Sequence, residues 1–239
     1  MSFGIVIKNT DGDMLVDSKF LNYSLATSGV TVCGVGVTDI KFSFLITSNS
    51  PPVICASQWT GGGKIGGVTA IGVPGAWSGF SVRVRTAVIS LQWQVYATDL
   101  PYGEQWTLSV FNEGGNKVFD AGRRMLTFSG EVSGKTTDWM RVGGSPYVNG
   151  RDDLYHYKFS SVQSGQYVAV GILPYSFFGV VNTNRGQVSV VTEVGLGWAS
   201  SGVPSLYLES FMDAPSGMFQ SGIPGAVFYD LPAMPILNI

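Results

Sequence analysis

Period two governs this chain. In residues 80–86, Phe80, Val82 and Val84 fall on one side of an extended backbone, with Ser81, Arg83 and Arg85 on the other. Ile89, Leu91, Trp93 and Val95 repeat the alternation. Successive side chains of a strand point to opposite faces, so this spacing buries one face and wets the other. Residues 30–37, 41–47, 167–173, 187–194 and 205–211 are further β-prone runs. Turn formers separate them at 9–12, 61–63, 112–116, 149–150, 164–165 and 184–186. Many short strands joined by Gly-rich hairpins predict an all-β chain, built as β-sandwiches or barrel-like antiparallel sheets. Residues 125–137 form the one weak helix candidate, and Gly130 and Gly134 argue against it.

The chain also echoes itself. Residues 5–17 align without a gap onto 108–120, an offset of 103 positions. Asn9 meets Asn112, Gly12 meets Gly115 and Asp17 meets Asp120. The shared pattern is strand, Asn-x-x-Gly turn, strand, Asp, which is a β-hairpin. It predicts either two related β units or one hairpin used twice, and hairpin turn chemistry alone could produce the likeness. The expected division is a β unit over 1–103, a second over 104–202, and a Pro-rich apolar C-terminal segment over 203–239. That segment carries Pro204, Pro215, Pro224, Pro232 and Pro235 with Phe211, Phe219, Phe228 and Tyr229 between them. Proline breaks ladders and favours extended chain, so the expectation is an arm lying on a neighbouring subunit. An irregular edge packed on its own domain is the other option.

Charge is scarce. Asp, Glu, Lys and Arg make up 13% of the 239 residues, against roughly 25% in an average soluble domain. Between Phe42 and Val82 the one charged residue is Lys64, and from Val203 onward there is no base. Free surfaces so poor in charge invite aggregation, which predicts coverage by partner subunits. The other explanation is that these stretches are buried. The net charge of −2 and the short pairs Arg83/Arg85 and Arg123/Arg124 offer no basic patch for nucleic acid. The N-terminus lacks a basic start with a long apolar run, so it does not read as a signal peptide. Residues 168–181 are apolar but broken by Pro174 and too short to span a bilayer.

Catalytic sets are hard to assemble from these residues. His156 is the only histidine, which removes sites needing two imidazoles, and no Gly-x-Ser-x-Gly elbow supplies a nucleophile. Gly61, Gly63 and Gly66 match a dinucleotide fingerprint in spacing, but a β-prone run follows where a helix is required. Lys64 is followed by Ile65, so this is no P-loop. Asn9, Asp11 and Asp13 lack the later Glu of a calcium loop. Asp99, Glu104, Glu113, Asp138, Asp152, Asp153, Glu193 and Glu209 could include a glycosidase pair, which sequence cannot match up. Cys33 and Cys55 suit two buried free thiols, with a disulfide as the alternative. No catalytic residue, cofactor or metal is therefore expected. Trp59, Trp77, Trp139 and Tyr147 fall in or near Gly/Pro-rich loops. With Phe219, Phe228 and Tyr229 they are the candidate contacts for a partner or a sugar.

The opening, residues 3–20 followed by Asn22-Tyr-Ser-Leu25, resembles the start of small tail-region proteins of tailed bacteriophages. Those begin with a strand, an Asn/Asp-Gly turn and an Asp-Ser-x-Phe stretch. Val118-Phe-Asp-Ala121 resembles a second hallmark of the group, with Ala121 where Ser is usual. The likeness covers about the first 25 residues and residues 106–124. It implies a structural component of the virion, at the distal tail, tail tip, baseplate or fibre attachment. It also implies assembly in the host cytoplasm with other virion tail proteins. A homo-oligomer, a trimer first, is the expected state, with no nucleic acid and no membrane insertion. Contact with a host surface glycan or protein, and a head decoration role, are the alternatives.

Overall fold

The computed structural model describes residues 6–8, 10, 14–17, 22–57, 59–85, 87–101, 108–115, 117–135, 140–141, 155–158, 165–171, 177–183, 186–198, 204–212 and 230–238. Every regular element among them is a strand, and every strand pair is antiparallel. The chain is all-β, as the alternation requires.

The strands of the first half are β1 (Val6–Lys8), β2 (Met14–Asp17), β3 (Ser24–Cys33), β4 (Gly36–Ile46), β5 (Val53–Ala56), β6 (Lys64–Val73), β7 (Ala76–Arg85) and β8 (Ile89–Ala97). Those of the second half are β9 (Ser109–Phe111), β10 (Lys117–Asp120), β11 (Thr127–Lys135), β12 (Met140–Arg141), β13 (Tyr155–Lys158), β14 (Tyr167–Ala169), β15 (Phe177–Thr183), β16 (Gly186–Trp198), β17 (Pro204–Met212) and β18 (Asp230–Asn238). Two small hairpins, β1–β2 and β9–β10, stand apart from two large sheets. One sheet runs β11-β18-β14-β5-β8-β3 and the other β12-β13-β17-β16-β6-β7-β4, with β15 beside β16.

Both orders read as palindromes. In the first sheet β3, β8 and β5 mirror β11, β18 and β14. In the second β4, β7 and β6 mirror β13, β17 and β16. The correspondence keeps chain order and leaves only β12 and β15 without a counterpart. It holds at the level of single residues. In β1–β2, Val6, Ile7 and Lys8 face Asp17, Val16 and Met14, so Leu15 bulges. In β9–β10, Ser109, Val110 and Phe111 face Asp120, Phe119 and Lys117, so Val118 bulges. All six paired positions and the bulge keep the offset of 103. The next strand repeats this: Leu25 faces Tyr96, Ala26 bulges and Thr27 faces Val95. In the second half Phe128 faces Leu237, Ser129 bulges and Gly130 faces Ile236. A bulge is a specific backbone insertion that fixes register, and two coincident bulges are beyond what shared turn residues explain. The two halves thus repeat one strand order, and the hairpin echo marks the same correspondence in sequence.

The halves join about a local two-fold axis. Val53 and Ile54 pair with Tyr96 and Val95 as Tyr167 and Val168 pair with Leu237 and Ile236, which makes Ala169 the counterpart of Cys55. These two face each other across β5 and β14. Tyr23 and its counterpart Leu126 also meet, through Leu126 N–H donating to Tyr23 O at 2.9 Å. Leu25 N–H donates to Arg124 O at 2.7 Å beside them, and Ser24 bridges Met125. These contacts tie the first residues of β3 to the residues just ahead of β11 and leave the rest of both outer strands without pairing to each other.

The main core lies between the sheets. Ile54, Leu91, Trp93, Val95, Val168 and Val170 from one meet Ile40, Ile65, Phe80, Val82, Val84 and Leu196 from the other. Phe80 and Trp93 pack edge to face with centroids 5.5 Å apart. The side chain of Trp93 lies over Gly29 on the next strand, where a Cβ would come within 2.6 Å of the indole. A second, smaller core of Cys55, Tyr96, Tyr167 and Ala169, with Tyr23, Leu25, Val53 and Leu126 against it, sits on the two-fold axis.

Described strands of 1–103, 104–202 and 203–239 all contribute to both large sheets. The described C-terminal residues pair within the chain. β17 pairs with β13 and β16, and β18 lies between β11 and β14. The prolines are tolerated for local reasons. Pro232 falls in the register break between Gly134↔Leu231 and Val132↔Met234, and Pro235 lies past the end of the pairing with β14. A missing N–H is harmless in both places.

Candidate functional site: an uncharged sheet edge

β3 is an outer strand of one sheet and β4 of the other. A two-residue turn, Gly34-Val35, connects them. Cys33 points inward to the main core, and Thr31 accepts the Trp93 Nε1–H at 3.0 Å. The alternate residues point out. Val30, Val32, Val35 and Val37 are 66%, 70%, 64% and 60% exposed. No charged residue occurs between Lys19 and Asp39. Edge strands are normally blunted by Lys, Pro or inward-pointing charge, and this one has none. Its counterpart β11 carries Glu131 and Lys135.

The charge-poor stretches of the sequence are 42–82 and 203–239, and the side chains of the second lie outside the described residues. The first stretch is divided: Ile46, Ile54, Ile65, Val68, Trp77, Phe80 and Val82 are buried, while Phe44, Leu45 and Val73 are exposed. Burial explains only part of its lack of charge. The signal for the exposed edge was present in sequence as an uncharged run with valine at alternate positions, but which face was wet depended on where β8 and β4 lie.

A polar cluster ties the second hairpin down. Asp120 is 2% exposed. It accepts Lys117 Nζ at 2.9 Å and Gly122 N–H at 3.0 Å. Asn22 Nδ2 donates to Val118 O, the bulge residue, at 2.7 Å. Arg123 Nη2 donates to Pro101 O at 2.9 Å. Asn22, Asp99, Lys117, Asp120 and Arg123 line a shallow cleft, and Asn22, Asp120 and Arg123 each hold backbone there. The repeated Asp of the motif is thus a structural clamp in the second half.

Trp59 and Trp77 are not loop contacts. They are 4% and 7% exposed. Their indole N–H groups donate to Gly63 O at 2.7 Å and Ser48 O at 2.8 Å. A ring satisfied this way inside a core has no face left for a sugar. Trp139, Tyr147, Phe219, Phe228 and Tyr229 lie outside the described residues. Gly61–Gly63 form a tight approach to the β7–β8 turn, where a Cβ on Gly63 would come within 2.2 Å of Ala87 O. The strand β6 then follows, with no helix to hold a phosphate. Backbone register sets Glu193 opposite Glu209 and His156 opposite Met140 and Tyr207. Among the described residues no group of three or more His, Cys, Asp or Glu could hold a metal.

Cys33 and Cys55 are free and belong to different cores. Burial raises both thiols, Cys55 far more. A thiolate is the reactive form, so a thiol reagent is expected to leave native protein nearly unlabelled and to titrate two groups per chain in denaturant. Burial also pushes the Tyr96 hydroxyl from its ordinary 10 to about 12; Cys55 and Tyr167 add to the rise and the Arg124 charge opposes it. The unfolded chain therefore loses this proton first. Stability is full below pH 10 and is expected to fall as pH rises from about 10 to 12. Chemical denaturation at stepped alkaline pH, with Tyr96→Phe for comparison, checks this: the variant should show a smaller alkaline loss.

Comparison with family models, with curated proteins and with solved structures finds no match to this chain.

Proposed function

We propose that the chain is a structural component of a bacteriophage virion, placed at the distal tail or tail tip, and that it works by protein–protein assembly. The supporting observation is the uncharged, exposed β3 edge beside four outward valines. Such an edge is a liability in a free protein and a joining surface in an assembled one. The residues that resemble phage tail-region proteins, and the hairpin motif they carry, give the placement. The clamp around Asp120 supports a structural role for that motif.

Immunogold electron microscopy of intact virions, with antibody to the recombinant chain, tests the reading. Gold at the tail tip is the expected result. Gold on the head would favour a decoration protein, and unlabelled particles beside a strong lysate signal would overturn a virion role.

A further inference from the structure

We infer that β3 is a self-association edge, at which a second copy of this chain adds its own β3 antiparallel about a two-fold axis. The inference rests on the assembly reading and names the partner of that surface.

Three observations select a second copy. First, among the described residues no strand pairs with the outer side of Ala26 to Cys33, and only Ser24 and Leu25 are joined to Arg124 and Met125. Second, the edge has no charge to select a charged partner. An identical strand meets it without burying any charge, and antiparallel pairing of equal strands places the outward valines of each copy beside those of the other. Third, the chain already joins equal edges this way. β5 pairs with its counterpart β14, and β6 with its counterpart β16, antiparallel about the internal two-fold. The counterpart strand β11 differs in sequence, with Glu131 and Lys135 where β3 has no charge. β3 is thus the edge left competent, and a contact of equal surfaces closes at two copies. Val35 and Val37 extend the apolar ridge past the strand pair.

Light scattering with gel filtration of the full chain tests this. Wild type is expected at about twice the 25.5 kDa chain mass. Val30→Lys and Val32→Lys, both at exposed positions, are expected at the single mass with unchanged circular dichroism. Val73→Lys is the control, at 62% exposure on another strand, and should stay at the double mass. A wild-type monomer, a persistent double mass in both edge variants, or an equal loss in the control would each overturn the inference. Hydrogen exchange gives a readout without mutation: residues 26–33 should gain protection as wild type is concentrated, and unchanged exchange there would refute the pairing. Failure here is separable from failure of the virion reading. A monomer that labels the tail tip removes only the edge pairing, whereas a dimer absent from particles removes only the virion role.

Discussion

Phe80→Ala is expected to cost about 3–5 kcal/mol of folding free energy, the range for emptying a large aromatic site in a packed core. Phe80 is 1% exposed and sits where the two sheets face each other. It packs edge to face on Trp93 and tilts against Phe42 at 6.1 Å. Flanking relief is poor. A Cβ on neighbouring Gly79 would come within 2.3 Å of Ile40 O, so β4 and β7 cannot draw closer to fill the space. For a chain of this length the loss corresponds to a drop in Tm of roughly 6–20 °C. Differential scanning calorimetry checks it, with Val37→Ala as an exposed comparison expected within about 0.5 kcal/mol of wild type. A drop no larger than that of Val37→Ala would show that the sheets do not pack on Phe80.

Strand identity was legible because period two is local. Residues 80–86 and 89–96 announce their buried face directly, and β7 and β8 bury Phe80, Val82, Val84, Leu91 and Val95 as the pattern says. The pairing of those strands was not legible, since nothing in residues 53–56 points to residues 167–169 as neighbours. The correspondence of the halves was half visible. Turn geometry demands Asn and Gly, so Asn112 and Gly115 (φ +76) retain the motif. From Ala97 to Trp93 and from Asn238 to Met234, β8 and β18 keep the same register with β3 and β11 yet share no residue, and a further break after Val132 then parts them. Backbone pairing tolerates almost any β-compatible side chain, so register outlasts sequence. Exposure was the least legible property. Trp59 and Trp77 sit in glycine-rich contexts that read as loops, and only the folded chain brings Gly63 O and Ser48 O to their indoles.

The motif aspartate gives the second large effect. Asp120→Ala should cost about 3 kcal/mol, near the lower end for breaking a buried ion pair. Lys117 is left with a side chain 12% exposed, enough to let its ammonium reach water in part, which keeps the loss from the upper end. Gly122 N–H loses its acceptor as well. Asp120→Asn separates the two contributions. It keeps an oxygen for Gly122 and removes the charge, so roughly half the loss should return. Urea denaturation of both variants measures this. If alanine and asparagine cost the same, charge pairing with Lys117 is the whole effect. If neither costs more than about 0.5 kcal/mol, as a surface change would, Asp120 is no clamp. The repeated strand–turn–strand–Asp motif would then owe its retention to something outside the fold, and its carboxylates would become candidates for contact with a partner.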